Sequence, residues 1–191
     1  MRVKDIITRA MKRAKEERGL RVSRPNDYLS DGHIKKADHN LIVMTDLNRL
    51  GHEDWVVISA YYAMYQSATA LLAKIGLESK DHATTAAVLE YLFGEQISKE
   101  LIGKFNELKE RKDRIEAITM DEKYIDYLWK TKRARETAQY GISISHKETD
   151  TIMRNAREFV SKIKLMLSEL NEKLVAIIGK EIEELEEISR K

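Results

Sequence analysis

The chain has no cysteine among its 191 residues, which excludes disulfides, thiolate nucleophiles and cysteine-ligated metals. That suits a reducing compartment, and a cytoplasmic location is expected. Proline occurs once, at Pro25, and the eight glycines are scattered. There is no glycine-rich phosphate loop and no Gly-x-Ser-x-Gly elbow, so a nucleotide fold of the Rossmann kind is excluded. No uninterrupted apolar run approaches the roughly 20 residues of a membrane span. The first 24 residues, "MRVKDIITRAMKRAKEERGLRVSR", contain no apolar segment followed by a small-residue cleavage site. No membrane partner is expected. An excess of charge of either sign is missing too: 34 basic residues face 32 acidic ones, so net charge names no partner.

What the chain does have is helical periodicity and charge, with 35 % of residues Asp, Glu, Lys or Arg. Few breakers and many charges predict long helices with solvated faces. The spacing predicts a helix over 3–18, a loop at "RPNDYLSDG" broken by Pro25 and Gly32, and a second helix closed by Gly51. Asp54 is the expected N-cap of a third helix ending at Gly76, and Asp81 that of a fourth ending at Gly94. Ser98 opens a fifth and Asp121 a sixth, which "YGISIS" interrupts at Gly141. The last helix runs from about Thr149. At roughly 1.5 Å per residue it would span about 60 Å if unbroken, so a break at Gly179 or a projecting end is expected. No alternating strand and no internal repeat is evident. The predicted architecture is all-α, an up-and-down bundle with a long C-terminal helix. Residues 1–25 form a basic helical extension, 26–170 the bundle and 171–191 a charged helical extension.

The two ends differ in charge. Residues 1–24 carry nine basic and three acidic side chains, while 180–191 carry three basic and five acidic ones. Both ends suit solvated helix surfaces, and the first would also attract a polyanion. Ile178, Ile182, Leu185 and Ile188 keep an apolar stripe that needs a cover. A second copy of the chain would supply one, and so would the N-terminal helix, whose opposite charge favours it.

The most informative stretch is "DWVVISAYYAMYQSATALLAK", residues 54–74. Val57, Tyr61, Met64, Ala68, Leu71 and Ile75 form one stripe, and Ile58, Tyr62, Tyr65, Thr69 and Leu72 its neighbour. Ser59, Ala63 and Ser67 recur every fourth residue, which lets another helix approach closely. A helix apolar over so much of its circumference is central to a bundle, and its tyrosine hydroxyls then need partners.

That stretch, with the "IGLESKDH" that follows, resembles the signature helix and turn of HEPN domains, small helical bundles of bacteria and archaea. The resemblance rests on Asp54 and Trp55, the "AYYAMY" centre, and Gly76 followed by His82. Downstream, "RETAQYGISISHKETDTIMRNAREFVSKI" resembles the family's C-terminal half. The resemblance spans about residues 30–168. It implies a homodimer, as does the uncovered C-terminal stripe, and it implies metal-independent chemistry with no cofactor. Many members are ribonucleases whose motif is an arginine, four to six residues, then a histidine. Arginine holds phosphate bidentately, and histidine moves a proton near neutral pH. Others partner a small nucleotidyltransferase in toxin–antitoxin pairs.

Onto this sequence the motif arginine carries over as Arg135, but Tyr140 stands where the histidine is expected. The nearest downstream histidine, His146, is eleven positions from Arg135. Arg111 and Arg114 have no histidine in reach either. A phenol with a pKa near 10 is a poor neutral-pH base, although it can donate a hydrogen bond or stack on a nucleobase. Arg135 and Tyr140 are therefore the catalytic candidates. Arg135, Arg133 and Tyr140 are the candidates for anion or RNA binding. Tyr124, Leu128, Thr131, Arg135 and Ala138 share a helix face, so Arg135 sits on an inward one. The structural alternative is a snorkelling arginine paired with Asp113, Glu116 or Glu136. The basic runs 109–114 and 130–135 suit a phosphate-facing patch or a solvated face. His33, His39, His52 and His82 lack helical metal spacing, and no metal site is expected. Two function classes stand: a dimeric RNA- or nucleotide-binding module with a degenerate, at most weakly active ribonuclease motif, and a protein-interaction module paired with a nucleotidyltransferase.

Overall fold

The structure, a computed structural model, describes residues 3–14, 19–94, 117–140 and 146–190. The described residues form seven helices and one short ribbon. In chain order they are α1 (Val3–Lys12), β1 (Leu20–Val22), α2 (Asp27–Arg49), α3 (Glu53–Lys74) and β2 (Leu77–Ser79). There follow α4 (His82–Phe93), α5 (Glu122–Tyr140), α6 (His146–Glu169) and α7 (Glu172–Arg190). The all-α bundle is as predicted. The expected fifth helix, with Ser98 as its cap, and the interruption at Gly141 fall outside the described residues.

α3 is the hub. It packs on α2 along its length and also on α4, α5 and α6. Val57, Tyr61, Met64, Ala68 and Leu71 are fully buried, as their spacing requires. Burial of each large apolar side chain contributes about 1.5–3 kcal/mol, so this one helix supplies much of the driving force. α3 also has the length and apolarity of a membrane span, but 72 % of its apolar window is already buried by the helices around it. Among the small residues, Ala63 meets Ala37 of α2 and Val160 of α6 in a tight three-helix junction.

Local differences from expectation have clear causes. α2 starts earlier than predicted because Asn26 caps it, its Oδ1 accepting from Leu29 N at 2.9 Å. Gly32 is thereby carried inside the helix rather than breaking it. α3 begins one residue before Asp54, with no side-chain cap. The C-terminal run is divided at Leu170–Asn171, not at Gly179, which lies within α7. Asn171 starts the new helix by accepting from Leu174 N at 3.1 Å.

β1 and β2 were not anticipated. They pair antiparallel, with Leu20 opposite Ser79 and Val22 opposite Leu77. Gly76 makes this possible: its φ is +78°. A Cβ there would also lie 2.6 Å from the Ser23 carbonyl. Ser23 N donates to the Gly76 carbonyl at 2.8 Å, tying the two segments at that point.

The C-terminal stripe is covered within the chain. α7 packs on α1, and α1 also packs on α4. Ile7, Ala10 and Met11 of α1 join Ile178, Ile182 and Leu185 of α7 in the same core as α3. Only Ile188 at the end of the stripe stays largely exposed. The stripe therefore gives no argument for a second copy of the chain.

Candidate functional site

The middle of α3 turns one face toward α4 and α5, and there the core stops being purely apolar. The turn after Gly76 and the ribbon deliver Asp81 to the start of α4. Its Oδ2 accepts from Thr84 N at 2.8 Å and from Thr84 Oγ1 at 2.7 Å. The Asp81 carbonyl accepts from Thr85 Oγ1 at 3.0 Å and from Ser79 Oγ at 3.1 Å. This multiply tied cap fixes the next residue, His82, the first of α4.

His82 is directed onto the tyrosines of α3. Its Nδ1 is hydrogen-bonded to the Tyr61 hydroxyl. Its ring lies 4.0 Å from that of Tyr65, centroid to centroid, and 5.4 Å from that of Tyr61. Tyr61 and Tyr65 stack nearly parallel, one helical turn apart. The Tyr65 hydroxyl reaches the Ser79 carbonyl at 3.5 Å. Tyr62, the third tyrosine, is exposed.

α5 brings the cation. Leu128 and Thr131 are buried, so the predicted inward face is real. One turn further on, Arg135 is half-buried, with its guanidinium carbon 5.0 Å from the centre of the Tyr61 ring. Such stacking on an aromatic face is favourable by about 0.5–2 kcal/mol. Its Nε is buried with no hydrogen-bond acceptor among the described residues. Of the expected carboxylate partners, Glu136 does not supply one. Glu136 pairs instead with Lys132 at 2.8 Å, which also holds its carboxyl below the usual range. Asp113 and Glu116 lie outside the described residues.

The electrostatics follow from burial. Burial pushes the Tyr61 phenol well above its ordinary value, offset only in part by the Arg135 charge. Burial raises Tyr65 likewise. His82 is pushed below 6.5, first by burial and then by the nearby Arg135 charge. At neutral pH the cluster is therefore two phenols, a neutral imidazole and one guanidinium. Of these four groups only the guanidinium is charged, with Asp81, Lys132 and Glu136 close enough to act on His82, and the guest complementary to a guanidinium is an oxyanion.

Of the residues singled out from sequence, Arg135 is at this cluster. Arg133 is exposed on the same helix. Tyr140 is the last residue of α5, but its side chain lies outside the described residues. The same is true of the His146 side chain, and of Arg111 and Arg114. In the run 130–135, Lys130 pairs with Asp126 at 2.6 Å. His33 is hydrogen-bonded to Gln66 across α2 and α3 at 2.7 Å. Among the described residues no three His, Asp or Glu side chains converge as metal ligands. His82 and Tyr61 are the residues that sequence reasoning passed over as site residues. The signal available was the Gly76–His82 spacing after the tyrosine helix.

A bundle centred on an aromatic helix, with an arginine brought inward near the end of a later helix, defines a class of small helical domains. The HEPN domain family model matches residues 31–166. The chain belongs to the HEPN domain family. The match leaves out α1, the β1 strand and α7. No curated protein matches the chain.

Proposed function

We propose that the chain is a dimeric RNA- or nucleotide-binding HEPN module whose phosphate contact is Arg135. The observation that carries this reading is the buried Arg135 Nε, held over Tyr61 without a protein acceptor among the described residues. A buried donor left unpaired costs about 1–3 kcal/mol. That buried Nε shows a guanidinium the described residues do not pair, and its outer Nη groups, on a half-buried side chain, present a fork that matches two phosphate oxygens. Arg133 adds positive charge at the same end of α5, and Tyr140 offers a phenol in place of the motif histidine. Binding rather than cleavage follows from that replacement. Any remaining hydrolysis would be metal-independent endoribonuclease activity.

Arg135→Ala tests the reading. Single-stranded RNA binding, followed by fluorescence anisotropy, should weaken by about 10- to 100-fold, the worth of a hydrogen bond to a charged group. Unchanged binding would make Arg135 a structural residue. Family membership supports the dimer, and sedimentation at micromolar concentrations should give about twice the chain mass. A monomer throughout would remove it.

A second reading has its own observation. Trp55 and Tyr62 lie seven residues apart on one side of α3 and are 61 % and 38 % exposed. Aromatic rings on a surface are the usual anchors of a protein interface. They support an interaction module that engages a nucleotidyltransferase in a toxin–antitoxin pair. Co-purification with the product of a neighbouring nucleotidyltransferase gene, lost in Trp55→Ala, would favour it.

A further inference from the structure

We infer that His82, supplied by α4 and held by Tyr61, is the second phosphate contact of the Arg135 site, donating through Nε2–H as a neutral imidazole. This rests on the reading of Arg135 as a phosphate contact, and it names a residue outside the arginine–x–tyrosine segment.

The argument starts from Tyr61. Its side chain is fully buried, and among the described residues its hydroxyl has one polar neighbour, His82 Nδ1. A buried phenol must place its proton on an acceptor or bear the full cost of a stranded donor. Nδ1 is that acceptor, so it carries no proton. In a neutral imidazole the proton then sits on Nε2. The tautomer is thus set by a core hydroxyl, and the ring is held in place by Tyr65 at 4.0 Å and by the Asp81 cap.

The outer nitrogen is free to act. His82 is half-buried, and Nε2 makes no hydrogen bond to the described residues. Arg135 packs on the same tyrosine that His82 bonds, and its charge acts on the imidazole. Neither Arg135 Nε nor His82 Nε2 has an acceptor among the described residues, and both side chains pack on Tyr61. What they share chemically is a need for acceptor oxygens on one compact anion. A phosphate provides them, whether it belongs to an RNA chain or to a mononucleotide.

Keeping His82 neutral is the work of its surroundings. Lys132 and Arg135 face it from α5 and disfavour a second cation, while Asp81 at its own helix start and Glu136 on α5 oppose them. Tyr61 and Tyr65 on α3 bury it without adding charge. Affinity for phosphate should therefore stay level between pH 7 and 8.5. A site that relied on an imidazolium would lose affinity across the same interval.

The test uses the full chain with two probes, a uridine decamer and adenosine 5′-monophosphate. The variants are His82→Ala, His82→Asn, His82→Gln and Tyr61→Phe, with Arg135→Ala alongside. Glutamine places an amide N–H near the Nε2 position and asparagine does not. His82→Gln should stay within about threefold of the parent, and His82→Ala and His82→Asn should weaken by about tenfold or more. Loss for both probes assigns the contact to the phosphate that they share, and loss for the decamer alone assigns it to the phosphate of an RNA chain. If Arg135→Ala loses binding while His82→Ala and His82→Asn retain it, the role of His82 is overturned and the Arg135 reading stands. If the parent binds neither probe, or no variant changes binding, both fall together.

Nitrogen-15 correlation spectra of the imidazoles give an independent readout that survives a poorly folding alanine variant. His82 should show a proton on Nε2 in the parent protein, and Tyr61→Phe should release that preference. A proton on Nδ1 in the parent overturns the inference whatever the binding data show.

Discussion

α3 presents two buried faces that differ in one respect. Around Ala63 the contacts across helices are apolar, with Ala37, Val160 and the edge of Leu41. Around Tyr61 the burial is as complete, but the neighbours include an imidazole, a second phenol and a guanidinium. The first face is dry packing of small and branched apolar side chains. The second keeps groups whose hydrogen bonds the described residues do not complete. Sequences optimised only for folding would not retain a buried arginine nitrogen without an acceptor. The contrast separates what holds the bundle together from what the bundle holds.

The largest effect is expected at the dry face. Ala63→Arg would drive a charged side chain into a fully buried junction of three helices. An unpaired buried charge and the overpacking together exceed the stability of a typical domain, about 5–15 kcal/mol. The variant should yield no cooperatively folded protein by circular dichroism melting. A soluble variant with the parental melting temperature would show that α3 is not the centre.

The polar face should respond in the opposite way. Arg135→Met keeps an apolar stem against Tyr61 and removes the stranded Nε–H. It loses a cation–π contact of about 0.5–2 kcal/mol and sheds a desolvation cost of about 1–3 kcal/mol. Stability should be unchanged or slightly higher, while RNA binding falls by about 10- to 100-fold. A melting temperature lowered as far as that of a core deletion would mean that Arg135 belongs to the dry face after all.

How far this division was legible in the sequence depends on the range of each contact. The dry face was readable, because apolarity around most of one helix and small residues every fourth position are local patterns. The inward placement of Arg135 was readable for the same reason, through Leu128 and Thr131 one turn before it. The Asp81 cap was readable from its place just before an apolar run. The meeting of His82 with Tyr61 was not. It depends on a reversal at Gly76 and on two three-residue strands, too short to show alternation. Position 82 looked like an ordinary helix start, and only the turn geometry directs its ring back onto α3. The division of the C-terminal run was missed for a different reason. Glycine is the stronger breaker by composition, but Asn171 caps a new helix and α7 runs through Gly179, held by its packing on α1.

A smaller change probes the joint between the two faces. Asp81→Ala removes the cap of α4 and two hydrogen bonds from Thr84. Loss of an N-cap costs about 1 kcal/mol. Chemical denaturation should show that loss at unchanged slope. Because the same cap fixes His82, binding should weaken along with stability, whereas Asp81→Asn should preserve much of both. Equal binding in the alanine variant would show that His82 is held by the tyrosines alone.

The smallest expected effect is a pH dependence that belongs to the polar face only. The folded protein holds the His82 pKa below its ordinary 6.5, through burial first and Arg135 second. The unfolded chain, with its value near 6.5, therefore takes up a proton at a higher pH than the folded one does. Wherever the unfolded state binds more protons, stability rises with pH. The contribution of His82 is thus intact above about pH 6.5 and is lost as pH falls from there toward the folded-state value. The ring is half-exposed, so solvent screening keeps the effect small. Unfolding free energies measured at pH 7.5 and 5.5 should differ more in the parent than in His82→Gln, which has no proton to gain. Ala63→Gly, a mild lesion at the dry face, should leave that difference as in the parent. If His82→Gln keeps the full pH dependence, the titrating group lies elsewhere and the neutral imidazole is not a property of this site.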